Sequence, residues 1–362
     1  MPPTHTVINP PLPAAINPPL LAGPDPLLRV SGLRVSFKMD EGTVRAVDGL
    51  SFDVFPGQVV GIVGESGCGK SVTVKAILQL IDPPGRITGG QILYLQDNRI
   101  VDLTRQPARG SAMRALRGAE IALIPQEPMA AFSPVHTVGD QIIEAIRLHE
   151  KTNGRPVSRH DARGRTIELF RDVGISMPEQ RVDAYSWQLS GGLRQRAMIA
   201  MALSCRPRLL IADEPTTAID VTTQAQILAL LRDLQRKYAT AIIFITHDLG
   251  VIAQMANHVV VMYLGRVMEE GPVDEIFHAP KHPYTQALLR SMPSMQGETR
   301  VALPVISGTL PHPFNRPAGC PFHPRCPDAI TDRCSARVPV ARQVEANRIV
   351  SCFLYHDEAE AP

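Results

Sequence analysis

The run Gly64-Glu65-Ser66-Gly67-Cys68-Gly69-Lys70-Ser71 constrains this chain more than any other stretch. An apolar segment, Gln58 to Val63, precedes it, and an apolar segment at helical spacing, Val72 to Ile81, follows. Strand, G-x-x-x-x-G-K-S loop and helix in that order form a phosphate cradle. The glycines let the backbone curl so that successive N–H groups point inward at phosphate oxygens. The helix start, from Lys70 and Ser71 into Val72, adds its partial positive charge. Lys70 can reach the β- and γ-phosphates, and the Ser71 hydroxyl can ligate Mg²⁺.

Further motifs follow in order along the chain. Leu28–Val30, Leu33–Phe37 and Ala46–Val54 alternate apolar and polar residues, which predicts an antiparallel sheet feeding the loop strand. Phe37 is a candidate to stack on a base, with a core role as the alternative. Pro83-Pro84-Gly85 and Gly89-Gly90 read as chain breaks, with a strand at Gln91–Leu95. Ile121–Ile124 reads as a short buried strand, ending in a hinge at Gln126 that can reach a metal or an attacking water. Residues 129–204 are helical in pattern, with breaks at Pro134, Pro156 and Pro178. Within them Ser190-Gly191-Gly192 opens a helix, with Ser190 as N-cap and free backbone N–H groups behind it, a second anion-binding start. Leu209–Asp213-Glu214 is an apolar strand ending in two acids. Asp213 is placed to hold Mg²⁺ and Glu214 to polarise a water for in-line attack. Asp220 precedes a helix. Ala241–Ile245, wholly apolar as inside a parallel sheet, ends in Thr246-His247. His247 there can contact the γ-phosphate and the water. Val259–Met268 reads as a closing hairpin. Apolar Met129, Ala130, Ala131 and Phe132 follow the Gln126 hinge and form a candidate contact with a membrane partner.

Composition narrows the class. Hydrophobic residues make up 44% and charged residues 20% of 362, with a net charge of +2, so there is no general case for nucleic acid. No apolar run approaches the length of a bilayer span, and no basic region with an apolar core opens the chain. A cytoplasmic location is therefore expected. Residues 1–26 hold nine of the 33 prolines and repeat Ile-Asn-Pro-Pro-Leu, which predicts an extended, coreless leader.

Gly64–Ser71, Gln126, Leu189–Gln195, Leu210–Glu214, Asp220 and His247, in that order, resemble the nucleotide-binding subunit of ABC transporters. One departure stands out: Leu193 occupies the place of the glutamine in the usual L-S-G-G-Q signature, with Gln195 two residues on. His278–Leu289 and Gly319–Cys326 resemble the C-terminal extension of dipeptide/oligopeptide permease ATPases. The resemblance implies an α/β P-loop NTPase, an ABC cassette with an antiparallel β subdomain, an inserted helical subdomain and a small Cys-rich C-terminal extension. The expected division is a leader over 1–26, a cassette over 27–275 with its helical subdomain at about 129–204, and an extension over 276–362. The implied activity is ATP hydrolysis driving import of small peptides or a related solute. The implied partners are a second, non-identical ATPase chain, two transmembrane permease subunits and an extracytoplasmic solute-binding protein. The implied place is peripheral, on the cytoplasmic face of the inner membrane. A rival reading is a soluble ABC ATPase acting on nucleic acid or ribosomes. One cassette, no heptad run and near-neutral charge weigh against it.

Four of the six cysteines, Cys320, Cys326, Cys334 and Cys352, fall in the last 43 residues. Disulfides are disfavoured in a reducing compartment, and the close pairs usual for zinc are missing. A [4Fe–4S] cluster is the first expectation, zinc the second and free core thiols the third. The resemblance supplies a comparable cysteine pattern that holds such a cluster in some members.

Overall fold

The computed structural model describes residues 25–127, 131–152, 155–217, 219–292 and 306–356. All but the end of the expected leader, together with Met129 and Ala130, lies outside the described residues.

Two sheets organise the molecule. The chain enters through β1 (Leu28–Met39) and β2 (Gly42–Val54), which pair antiparallel, and continues into β3 (Val59–Val63). After the loop and helix α1 (Lys70–Ile77), β4 (Gly85–Gln96) and β5 (Arg99–Asp102) complete an antiparallel sheet in the order β2-β1-β4-β5. The second sheet collects β3 with β6 (Ile121–Ile124), β7 (Leu209–Asp213), β8 (Ala241–Ile245), β9 (His258–Tyr263) and β10 (Arg266–Pro272). Two late strands, β11 (Arg342–Glu345) and β12 (Arg348–Val350), extend it. Its order is β11-β12-β10-β9-β3-β8-β7-β6, with β9, β3, β8, β7 and β6 parallel.

The parallel strands are apolar throughout because both faces are covered. Every residue of β3, β7 and β8 is buried. Alternate residues feed different cores, as the period of two requires. Val60, Ile62, Ile211, Ile243 and Ile245 join the antiparallel sheet and α1, whereas Val59, Val63, Leu210, Ala212, Ile242 and Phe244 join the helices. The latter core runs on without interruption into Tyr284, Cys320, Phe322, Cys334 and Phe353 of the final segment.

The expected helical stretch contains α2 (Val138–His149), α3 (Arg159–Asp172) and α4 (Gly191–Leu203). Thr137, Ser158 and Ser190 cap them, each side-chain oxygen accepting from a backbone N–H in the first turn. Helix α5 (Val221–Tyr238) lies between β7 and β8 in the chain and is capped by Asp220. In the segment Gln126–Val138, expected to meet a membrane partner, Val135 is 72% exposed, whereas Phe132 is turned into the core at 4%. Its size and apolarity are satisfied by packing instead.

One expected break is a bulge. Strand β4 runs through Gly89 and Gly90, where its register against β1 shifts. A Cβ on Gly90 would fall 2.5 Å from the Gly32 backbone, so glycine is needed for the two backbones to cross.

Candidate active site

The phosphate loop joins the end of β3 to the start of α1 and closes on itself in this structure. Lys70 Nζ donates to the Gly64 carbonyl at 2.8 Å and to the Glu65 carbonyl at 3.2 Å, and sits 3.9 Å from Cys68 Sγ. Two glycines have no substitute. Gly64 has φ +152°, and a Cβ there would lie 2.1 Å from the Met262 carbonyl oxygen. Gly69 has φ +101°, and its Cβ would lie 2.3 Å from the Ala46 carbonyl oxygen. Ser66 and Gly67 form the open tip, and nothing lies within 4 Å of a Cβ built on Gly67. Cys68 is fully buried beneath the loop, where burial pushes its thiol up. Val72, half-buried, packs against the core under α1.

Beside the loop, the end of β7 brings oxygen ligands together. Ser71 Oγ donates to Asp213 Oδ1 at 3.1 Å. Burial pushes the Asp213 carboxyl up, the Ser71 hydrogen bond opposes this, and neighbouring Glu214 adds to it. A hydroxyl and a buried carboxylate are hard oxygen donors, and a cation would relieve the cost of burying the charge. The donor set therefore fits Mg²⁺.

Glu214 is the centre of a second cluster. Gln126 Nε2 donates to its Oε2 at 3.2 Å, Thr217 Oγ1 donates to the same oxygen at 3.0 Å, and His247 Nδ1 lies 3.3 Å from Oε1. Glu214 has φ +47°, unusual for a side chain of this size, and its N–H donates to the Ile245 carbonyl at 2.9 Å. Such backbone strain persists where the surroundings enforce it, and it gathers at sites of chemistry. Three residues from the ends of three parallel strands thus meet: Gln126 after β6, Glu214 after β7, His247 after β8.

Ser190 and Gly191 lie exposed at the start of α4, and Gly192 is half-buried. Ser190 Oγ accepts from Leu193 N–H at 3.4 Å. Asp220 is exposed, and its carboxylate accepts from Thr223 N–H at 2.9 Å and Thr223 Oγ1 at 2.7 Å. Those bonds hold its carboxyl below the usual range. Phe37 is half-buried against the core, and a Cβ on Gly85 would lie 2.4 Å from its ring, so β1 and the start of β4 enclose it.

The cysteine expectation is corrected. Among the described residues no group of three or more His, Cys, Asp or Glu side chains is arranged to hold a metal ion, so neither the iron–sulfur cluster nor zinc is supported. Cys320, Cys326, Cys334 and Cys352 are all free thiols. Cys320, Cys334 and Cys352 are buried, and Cys320 and Cys334 belong to the core with Cys326 packed against it. Burial pushes the Cys326 thiol up to about 11 and the Cys352 thiol up to about 12, so both are protonated at neutral pH as free thiols. They act as small apolar side chains.

The sequence reading did not assign Thr217 to the Glu214 cluster, and it named Gln195, Tyr284 and Arg325 only inside the stretches that carry the resemblance. Gln195 is 2% exposed and donates through Nε2 to the Pro215 carbonyl, tying α4 to the turn that holds Glu214. Tyr284 and Arg325, from the final segment, both fasten Glu65. The glutamine two residues beyond the departure at Leu193 was the available signal for Gln195. Nothing local signals the other two.

Comparison with known proteins follows the same outline. Residues 47–217 match the family described as "ABC transporter", and residues 268–334 match "Oligopeptide/dipeptide transporter, C-terminal region". The chain is 48% identical over 338 residues to the Dipeptide transport ATP-binding protein DppD of Escherichia coli (strain K12), covering 93% of this chain and 99% of the relative. It is 45% identical to the Oligopeptide transport ATP-binding protein AppD of Bacillus subtilis (strain 168), covering 92% of this chain and 98% of the relative. Among solved structures, cbiO1 from Clostridium perfringens, part of the ABC transporter complex cbiONQ, aligns with TM-score 0.57 at 26% identity, over 71% of this chain and 92% of that one. The dimeric ATP-binding cassette MJ0796, bound to ADP and Pi, aligns with TM-score 0.59 at 24% identity over 68% of this chain and 98% of its own, a likeness of fold.

Proposed function

The chain belongs to the ABC transporter ATP-binding proteins that carry the oligopeptide/dipeptide C-terminal region, and from that membership we propose that it hydrolyses ATP to drive uptake of short peptides, or a related small solute, through partner membrane subunits. The observation that carries the reading is the gathering of Gln126, Thr217 and His247 on Glu214, next to Ser71 and Asp213. The relatives named for dipeptide and oligopeptide transport support the substrate class.

Glu214 is the general base. It takes a proton from water as that water bonds to the γ-phosphorus and the bridging P–O bond to ADP breaks. Gln126 and His247 orient the carboxylate and the water. Lys70 leaves the loop carbonyls to hold β- and γ-phosphate oxygens, which the loop Gly64–Val72 also cradles through its backbone N–H groups, that of Glu65 being taken by Tyr284 instead. Ser71, Asp213 and Gln126 would hold Mg²⁺, which when bound neutralises charge on the phosphates.

Ser190, Gly191 and Gly192 close over the nucleotide of a second ATPase subunit, and Asp220 lies at the same contact. The exposure of Ser190, Gly191 and Asp220 supports this. The second chain is non-identical, and two transmembrane permease subunits and an extracytoplasmic solute-binding protein complete the system. Among the described residues no helix is long and apolar enough to cross a membrane, which agrees with a peripheral place on the cytoplasmic face. The chain divides into a leader over 1–26, a cassette over 27–275 and an extension over 276–362.

The test is uptake of a labelled dipeptide by cells lacking this chain. Wild type restores uptake and Glu214→Gln does not. Equal restoration by both would sink the reading.

A further inference from the structure

Glu65 turns away from the phosphate cradle. Its carboxylate meets the Arg325 guanidinium side by side, Nη1 to Oε2 at 2.7 Å and Nη2 to Oε1 at 3.0 Å. Its backbone N–H donates to the Tyr284 hydroxyl at 3.0 Å. Both partners come from the final segment, 260 and 219 positions along the chain.

The anchor is itself rigid. The Arg325 side chain is 4% exposed. Nε donates to the Ser307 carbonyl at 3.0 Å, and Nη1 reaches the Tyr263 hydroxyl at 3.3 Å. Tyr263, Tyr284 and Phe322 pack ring on ring behind it, with centroids 4.8 to 5.4 Å apart. Ahead of Glu65, Gly64 lies too close to the Met262 carbonyl to carry a side chain and accepts from Lys70 Nζ, and after it Ser66 and Gly67 are open. Glu65 is thus the last fastened residue before the loop tip. An acid there also sits in a loop built for anions, and the guanidinium offsets its charge.

We propose that the final segment acts as a clamp on the phosphate loop, with Arg325 and Tyr284 as positioning residues that hold Glu65 and thereby set the affinity for ATP. The inference rests on the nucleotide-site reading above and extends it. The loop tip keeps its cradle only while the final segment is docked. Neither positioning residue touches the reacting atoms.

The test measures ATP binding to the full-length chain by calorimetry, and KM and kcat in the assembled transporter. Arg325→Met should weaken ATP binding about tenfold. It should raise KM far more than it lowers kcat, and Arg325→Lys should recover part of the loss. Glu65→Gln combined with Arg325→Met should be no worse than Arg325→Met alone, because both remove one contact. Tyr284→Phe keeps the ring packing and removes only the acceptor, so it serves if Arg325→Met fails to fold, and it too should weaken binding. A folded Arg325→Met or Tyr284→Phe chain that binds ATP as wild type does would overturn the clamp. Lys70→Ala separates the two readings. If wild type binds ATP and Lys70→Ala does not, the nucleotide site stands whatever the clamp variants do. A wild type without ATP binding would remove both.

Discussion

Glu214 sits where three strand ends converge, in a backbone conformation that costs energy. Its N–H is held by Ile245, and its two oxygens by Gln126, Thr217 and His247. A carboxylate fixed from both sides is pre-aimed, so little reorganisation is left for the chemical step. Glu214→Gln keeps the shape and removes the base. It should bind ATP normally and turn it over roughly 10²–10⁴-fold more slowly. Phosphate-release kinetics beside nucleotide titration will check this, and near-normal turnover would move the base role to His247. Lys70→Ala removes the cation at the cradle and should weaken binding itself, read in the same titration. Gln126, Glu214 and His247 were legible as candidates because each follows closely on an apolar strand. Arg325 and Tyr284 were not, because their partner is more than two hundred positions away and no periodicity links them. The late cysteines were legible as a cluster and misread in chemistry. Spacing does not distinguish ligands from small apolar side chains, and among the described residues no group is arranged to hold a metal.

At the scale of elements, the join between β10 and β12 explains how the final segment is attached. Arg348, 1% exposed, donates to Glu269, fully buried, at 2.6 and 3.1 Å. Glu269 also accepts from Lys281 N–H at 2.8 Å and His282 N–H at 2.9 Å, which turns the chain into the helix Pro283–Arg290. Removing one partner strands a buried charge. Arg348→Met should lower stability by about 3–5 kcal/mol in urea unfolding, and a change within the scatter of surface substitutions would contradict the assignment. His282 caps the same helix, with Nδ1 accepting from Tyr284 N–H at 2.9 Å. Burial pulls its imidazole down to about 3 from the usual 6.5. The folded form therefore resists a proton that the unfolded form accepts below about pH 6.5. Stability falls as pH drops through the window from about 6.5 to about 3. His282→Gln should flatten that fall by about one proton's slope, 1.4 kcal/mol per pH unit, in urea titrations at successive pH values. The parallel strands were legible from unbroken apolar runs. The bulge at Gly90 was not, because a glycine pair reads as a break unless the crossing strand at Gly32 is known.

For the whole molecule, the cassette and the final segment share one sheet and one core. The signature residues Ser190 and Gly191 face solvent at the start of α4. In the proposed function a second cassette finishes the site. ATP turnover per chain should rise with chain concentration, or on adding the partner ATPase, and a rate independent of both would leave the isolated chain self-sufficient. The central claim is that this chain couples ATP hydrolysis to peptide import. The most direct measurement is ATP turnover by the assembled transporter in liposomes, with and without peptide-loaded solute-binding protein on the outer side. Turnover should rise with loaded binding protein, accompanied by labelled peptide inside the vesicles, with both lost in Glu214→Gln. Turnover unchanged by loaded binding protein, with no peptide accumulated, would contradict it.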